Sequence, residues 1–235
     1  MNLPTDGLPG RVWRTAAFPI RAVAPFWSLA GRALRGDYWM ESVGDHPGSG
    51  PELRLADRDD TQGPDDGVGP LNHRRYRIWV ADSPMEPEHL LELFRSAPNA
   101  FCPTSYAVFV PDPAPLGLQQ GSELEVKLPG PWDGPVYVHE VRPDRIRLNT
   151  RLGHMEAGWI EFSAAKTGTT TQFMIESFAR SGDSVFDTLY HRVGIGKAVQ
   201  TQMWVSVLES AAKLSGGRQQ GRIDIETIIY TGADQ

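Results

Sequence analysis

A series of short strand-like segments ending near Phe178, followed by one long apolar-faced helix pattern over 183–214, constrains the fold of this chain more than any other feature. Phe186, Leu189, Tyr190, Val193, Val199, Met203, Trp204, Val207, Leu208, Ala211 and Leu214 recur mostly at three- and four-residue steps, the spacing that gathers side chains on one face of an α-helix. Gly194 and Gly196 interrupt the pattern, so an early bend or break is expected, with the continuous helix running from Lys197 to the Ser215-Gly216-Gly217 stop. Strands first and one long helix last predict an α+β domain in which a curved antiparallel β-sheet wraps around the long C-terminal α-helix. Such a shape encloses an apolar cavity.

The strands are read from alternation. In RRYRIWV (74–80), Tyr76, Ile78 and Val80 share one side and Arg75, Arg77 and Trp79 the other. Further strands are expected at 105–110, 123–128, 136–141, 145–149, 156–162, 170–178 and 223–230, the last added to a sheet edge or to a partner. A helix is expected over 83–95, where Ser83 is placed to cap, prolines and acids occupy the start and Arg95 the end. Trp132 sits at the tip of a Pro/Gly-rich loop over 129–135, suited to pack at a cavity mouth or to gate it.

The N-terminal region divides by charge. Arg11, Arg14, Arg21, Arg32 and Arg35 have no acid among them and are interleaved with Trp13, Phe18, Phe26 and Trp27. This basic amphipathic arm over 1–36 either packs on its own domain or makes peripheral membrane contact through residues 11–35 on an anionic surface. Over 37–70 the sign reverses, with Asp57, Asp59, Asp60, Asp65 and Asp66 set among Gly and Pro, which reads as an irregular acidic linker. The main domain is then expected over 71–217, with a strand-bearing tail over 218–235. A chain of 235 residues can bury a full core in one such domain. Its net charge of −6 argues against nucleic acid as a partner. Cys102 stands alone, so neither an intramolecular disulfide nor a thiolate zinc site is available, which suits a reducing cytoplasm; a cysteine of this kind is usually inert packing. Pro19, Arg21 and Pro25 break the apolar stretch 16–30, so no secretory signal is read, and nothing approaches the ~20 apolar residues that span a bilayer.

Several segments resemble the actinobacterial branch of the DUF1990 (UPF0548) family: GVGPLNHRRYR (67–77), LPGPWDGPV (128–136), LGHMEAGWIEF (152–162), ESFARSGD (176–183), LYHR (189–192) and IDIET (223–227). The order of elements resembles the helix-grip fold of START- and Bet v 1-like (SRPBCC-type) proteins. The resemblance implies a helix-grip domain and no particular activity, since the family is defined without one. The wider superfamily includes lipid and hormone binders, polyketide cyclases and aromatases, and oxygenase subunits. No single catalytic motif passes between them, so the fold limits the ligand class without naming a reaction.

Candidate residues follow from faces. The cavity walls are expected from Ile78, Phe109, Val126, Ile160, Phe162, Phe173 and Ile175 on strands and from Tyr190, Met203, Trp204 and Val207 on the helix. His154 and Glu156 are two apart and share a strand face, which suits a turn, a polar ligand contact, or a general base with its orienter. As metal ligands they lack a third member, so no metal and no cofactor is expected. Glu176 lies between two apolar faces and needs a partner, with Arg180 and Arg192 in reach, as an ion pair pinning helix to sheet or as a proton-transfer group. His191 is a further weak candidate. Ser181 or Asp183 is suited to cap the long helix. No Walker A, GxGxxG, GxSxG or HExxH pattern is present. Three functions remain: a protein that binds a hydrophobic small molecule or lipid in the cavity, a cyclase, dehydratase or isomerase acting on such a ligand, and a membrane-surface or interaction module with a solid core.

Overall fold

The structure, a computed structural model, describes residues 31–32, 35–46, 58–111, 117–128, 133–187 and 195–231. Within these, nine strands form one sheet: β1 (Tyr38–His46), β2 (Val68–Ala81), β3 (Val108–Pro111), β4 (Glu123–Lys127), β5 (Asp133–Arg142), β6 (Arg145–Thr150), β7 (Glu156–Thr167), β8 (Thr170–Ser181) and β9 (Arg218–Tyr230). Their order is β1-β9-β2-β8-β7-β6-β5-β4-β3. Every neighbouring pair is antiparallel except β1 with β9. The helices that lie with the sheet among the described residues include α1 (Pro87–Ser96), the short α2 (Ser184–Asp187) and α3 (Ile195–Leu214). The sheet is curved and the fold is the expected α+β helix-grip arrangement.

Period-2 alternation sends one side chain set of each strand toward α1 and α3. Tyr76, Ile78 and Val80 of β2, Phe162 of β7, Phe173 and Ile175 of β8 and Ile223 and Ile225 of β9 all enter one core with Leu90, Leu91 and Phe94 of α1 and with Trp204, Val207 and Leu208 of α3. Phe94 lies against Phe162 at a ring separation of 4.4 Å, and Phe162 meets Trp204 edge-on at 5.8 Å. Gly216, at φ +74, takes the left-handed position that ends α3, and a Cβ on Gly217 would lie 2.5 Å from Val80.

Two parts of the sequence plan change. The segment 37–70 is not simply a linker: it supplies strand β1, and its C-terminal part is built into the sheet. Thr61 bridges to Arg151, and buried Gln62 bonds the His154 carbonyl at 3.0 Å and the Gly153 N–H at 2.9 Å. Asp60, one of the acids that signalled a linker, is held by Arg151 at 2.7 Å. The terminal strand β9 sits inside the sheet between β1 and β2, not at its edge. Its register places Glu226 opposite Arg75 and Asp224 opposite Arg77, and Arg77 reaches Asp224 at 2.8 Å. Opposite charges facing across strands fix a pairing that apolar alternation alone leaves free to slip by two.

The arm over 1–30 and the residues Trp132, Tyr190, His191 and Arg192 lie outside the described residues. Arg32 pairs with Glu209 of α3, so at its described end the arm is tied to its own domain. Among the described residues no helix is long and apolar enough to cross a membrane.

Candidate functional site

The ten described wall candidates converge, but on packed core. Ile78, Phe109, Phe162, Phe173, Ile175, Met203, Trp204 and Val207 all belong to the main cluster, and of the pair Val126 and Ile160, both pack against it half-buried. Toward the α1 end the aromatic rings of Phe94, Phe101, Phe109, Phe162 and Trp204 fill the space between sheet and helices. The chemistry lies further along the same seam, where α3 begins and β7 starts.

There the inner face of the sheet turns polar. Arg74 lies two residues before Tyr76 in β2, so it shares Tyr76's face and is only 3% exposed. Its cross-strand neighbours are Ser177 of β8 and Thr227 of β9, giving a row of three polar side chains across three strands. Arg74 Nη1 donates to Glu156 Oε1 at 3.2 Å, and Gln200 Nε2 of α3 donates to Glu156 Oε2 at 3.0 Å. Tyr76 is hydrogen-bonded to Thr201 of α3, and burial raises the phenol above its ordinary value. Lys197, in the first turn of α3, is exposed to solvent, and the partial burial of its ammonium together with the charge of Arg74 holds its pKa somewhat below the usual lysine range. Ser177 and Thr227, 5% and 4% exposed, bring two hydroxyls to the same buried row as Arg74. The site is therefore a cation–carboxylate–amide chain with two buried hydroxyl-bearing residues beside it, next to Tyr76 and Ile225 on the same face of the sheet.

Of the sequence candidates, Glu156 alone enters this site. His154 does not share its face. The ring is turned back on the chain, where Nδ1 accepts the Glu156 N–H at 2.8 Å, closing the turn before β7. Burial lowers the pKa of His154, which keeps the imidazole neutral and fits a structural acceptor. Glu176 is on the opposite, outer face, and Arg180 is not its partner; Arg192 lies outside the described residues. Arg180 instead donates to the Gly69 carbonyl. Glu176 Oε1 accepts from Arg75 Nε at 2.9 Å and lies 2.6 Å from Nε2 of His73, whose ring stacks on Phe178. It pins β2 to β8 within the sheet rather than a helix to it. Ser181 closes β8 and bonds Asp187 at 2.9 Å, leaving Asp183 as the residue that directly precedes α2. Sequence reasoning missed Arg74, Gln200 and Thr227. For Arg74 the signal was present, because its parity with Tyr76, Ile78 and Val80 puts an arginine on the apolar face.

Glu176 gives a pH-dependent prediction. Burial by itself would raise its pKa, but His73 and Arg75 outweigh burial and hold it at about 2, below an ordinary 4.5. A depressed folded-state value contributes stability that is complete above about pH 4.5 and is lost as pH falls toward 2. Glu176→Gln is expected to cost about 1–3 kcal/mol at neutral pH. It should also flatten the loss of stability between those pH values, measured by urea denaturation at stepped pH. Cys102 gives a second. It is buried, and burial pushes its thiol up to about 12. Its reaction with a disulfide reagent at pH 8 is expected to be roughly 100-fold slower in native than in urea-unfolded protein.

Among the described residues no group of three or more His, Cys, Asp or Glu is placed to hold a metal ion. A separate open groove of about 430 Å³ lies between α1 and the β5–β6 hairpin, floored by Leu91, Val141 and Ile146 and edged by Glu88, His89 and Arg142. Its rim charges carry no buried polar partner, so it presents a surface recess and not a second site of the same kind.

No protein-family model matches the chain, and no curated protein matches it. Solved structures do. A hypothetical protein of Helicobacter pylori is similar with a TM-score of 0.44 and 9% identity, over 60% of this chain and 86% of that one. The ZhuI aromatase/cyclase from a Streptomyces species has a TM-score of 0.42 and 16% identity, over 62% of this chain and 94% of that one. The two-domain ARO/CYC protein StfQ of the steffimycin biosynthetic pathway has a TM-score of 0.46 and 11% identity, over 65% of this chain and 52% of that one. The match therefore spans about half of StfQ.

Proposed function

We propose that this chain binds a hydrophobic small molecule or lipid in the seam between the sheet and α3, as the DUF1990-like helix-grip protein that its motifs resemble. One observation carries the reading: the Arg74–Glu156–Gln200 chain, with the hydroxyls of Ser177 and Thr227, sits between sheet and helix where apolar packing would be at least as stable. Removing two charges from water costs several kcal/mol per ion, on the order of what the pair recovers, so a solid core gains little from such a pair. A site that must hold one end of an apolar guest gains orientation from it. Binding sites of this class are mostly apolar with a few placed polar groups, and here Ile225, Tyr76 and Trp204 supply the apolar share.

Native mass spectrometry of gently purified protein tests this. An apolar small molecule is expected to accompany the folded chain and to be lost on unfolding. A bare mass that gains nothing on incubation with long-chain acids, alcohols and polyketide-like aromatics would contradict it.

An enzymatic reading, a cyclase, dehydratase or isomerase acting on the bound molecule, is favoured by the presence of Glu156 at the site. Both its oxygens accept hydrogen bonds, so proton transfer requires the pair with Arg74 to open. A Glu156→Gln variant that binds ligand normally but leaves a substrate unconverted would separate this reading from simple binding.

A further inference from the structure

One face of α3 turns away from the sheet and is nonetheless buried. We infer that this face is the docking surface for the chain's own basic N-terminal arm, seated through the apolar stretch 25–30. The arm's place is then on the domain, and α3 is held from both sides.

Three observations converge on it. The first is burial. Trp204, Leu208 and Ala211 share the side of α3 that packs on the core, and the main described neighbours of the helix, β2, β8 and β9, lie there. At 3.6 residues per turn, Gln202 and Ser206 fall on the opposite side. They are 1% and 7% exposed all the same. The second is an unmet acceptor on that side. Gln202 Nε2 donates to Ser206 Oγ at 3.3 Å, while Gln202 Oε1 has no hydrogen-bond partner. A buried amide oxygen is costly to leave unpaired, so the face suits an occupant that brings a donor. The stretch 25–30, PFWSLA, combines apolar surface with two side-chain donors, the Trp27 indole and the Ser28 hydroxyl. The third is where the described chain enters. Gly31 and Arg32 are helical, and Arg32 is bonded to Glu209, the one acid in the sequence of α3. Glu209 lies two turns beyond Gln202 on the same side of the helix. Pro25 precedes Arg32 by as many residues as Gln202 precedes Glu209, so the stretch is long enough to reach Gln202 whether helical or extended. Charge agrees with this seat: the arm has five arginines and no acid over 11–35, and it meets α3 at a carboxylate.

The test uses the full-length protein with p-benzoylphenylalanine in place of Phe26, and separately in place of Leu29, so that misfolding of one labelled protein leaves the other. After irradiation in dilute solution and digestion, the label is expected to be joined to α3 of the same chain. Adding Glu209→Arg should lower the yield about threefold or more, and Arg32→Glu/Glu209→Arg should restore it. Vesicles of phosphatidylglycerol should leave the yield unchanged. As a readout free of the label, Ser206→Cys in the full-length protein should react with a maleimide at least about tenfold more slowly than the same protein in urea. Labels joined to a second copy, to lipid or to another part of the domain, or a Ser206→Cys thiol as reactive as in urea, would overturn the inference.

Discussion

Gly158→Ala is expected to abolish the folded state. Gly158 lies in β7 opposite Ala179 of β8, at φ +153. A Cβ there would stand 1.9 Å from the Phe178 carbonyl oxygen and 2.9 Å from the Ala179 Cα. Both are backbone atoms of the paired strand, so no side chain can swing aside to relieve the clash. The glycine is also fixed from behind, because Thr150 Oγ1 accepts its N–H at 2.8 Å and lies 3.0 Å from its carbonyl oxygen. Relief therefore requires β7 and β8 to separate where Glu156 enters the site. The cost should exceed about 4 kcal/mol, a large part of the 5–15 kcal/mol typical of a domain. Soluble yield and a circular dichroism melt would measure it. Gly153→Ala is the matched control: Gly153 also has a positive φ, +92, but nothing lies within 4 Å of the added carbon, so only the conformational cost of about 1–2 kcal/mol applies. A Gly158→Ala protein melting within a few degrees of wild type would contradict the close approach of the two strands.

The second large effect is expected at Arg74. Arg74→Met removes the cation from a buried carboxylate and leaves Glu156 with Gln200 as its remaining donor partner in the site. Breaking one side of a buried pair costs about 3–5 kcal/mol, because the stranded charge keeps its desolvation penalty. Replacing both partners with neutral groups removes that penalty. Arg74→Met/Glu156→Gln is accordingly expected to recover most of the loss. A double-mutant cycle by urea denaturation would report a coupling of about 2 kcal/mol or more. Additive losses would mean that the pair is solvated and the seam open to water.

Much of this architecture was legible in the sequence because it follows from periodicity. The alternation of β2 placed Tyr76, Ile78 and Val80 in the core, the three- and four-residue steps placed Met203, Trp204 and Val207 there, and Gly216-Gly217 marked the end of α3. What escaped depended on partners distant in sequence. Strand β1 lies beside an acidic Gly/Pro-rich stretch whose composition hid it, and it exists because β9 offers a parallel edge. The place of β9 inside the sheet depends on Arg75 and Arg77 meeting Glu226 and Asp224 across about 150 residues. For Glu176, sequence showed that a partner was needed but could not choose among arginines; register brought Arg75 and His73 to it. Their spacing alone predicts that His154 and Glu156 share one strand face. A turn before β7 separates them, and spacing of two implies a shared face only within a strand.

Ligand binding is placed at one location, the polar end of the seam between α3 and the sheet. Titration of ¹⁵N-labelled protein with undecanoate, followed by amide chemical shifts, tests it most directly. The largest changes are expected at Arg74, Glu156, Ser177, Gln200 and Thr227, with Glu88, His89 and Arg142 of the outer groove unmoved. Shifts centred on the outer groove, or none at saturating undecanoate, would contradict it.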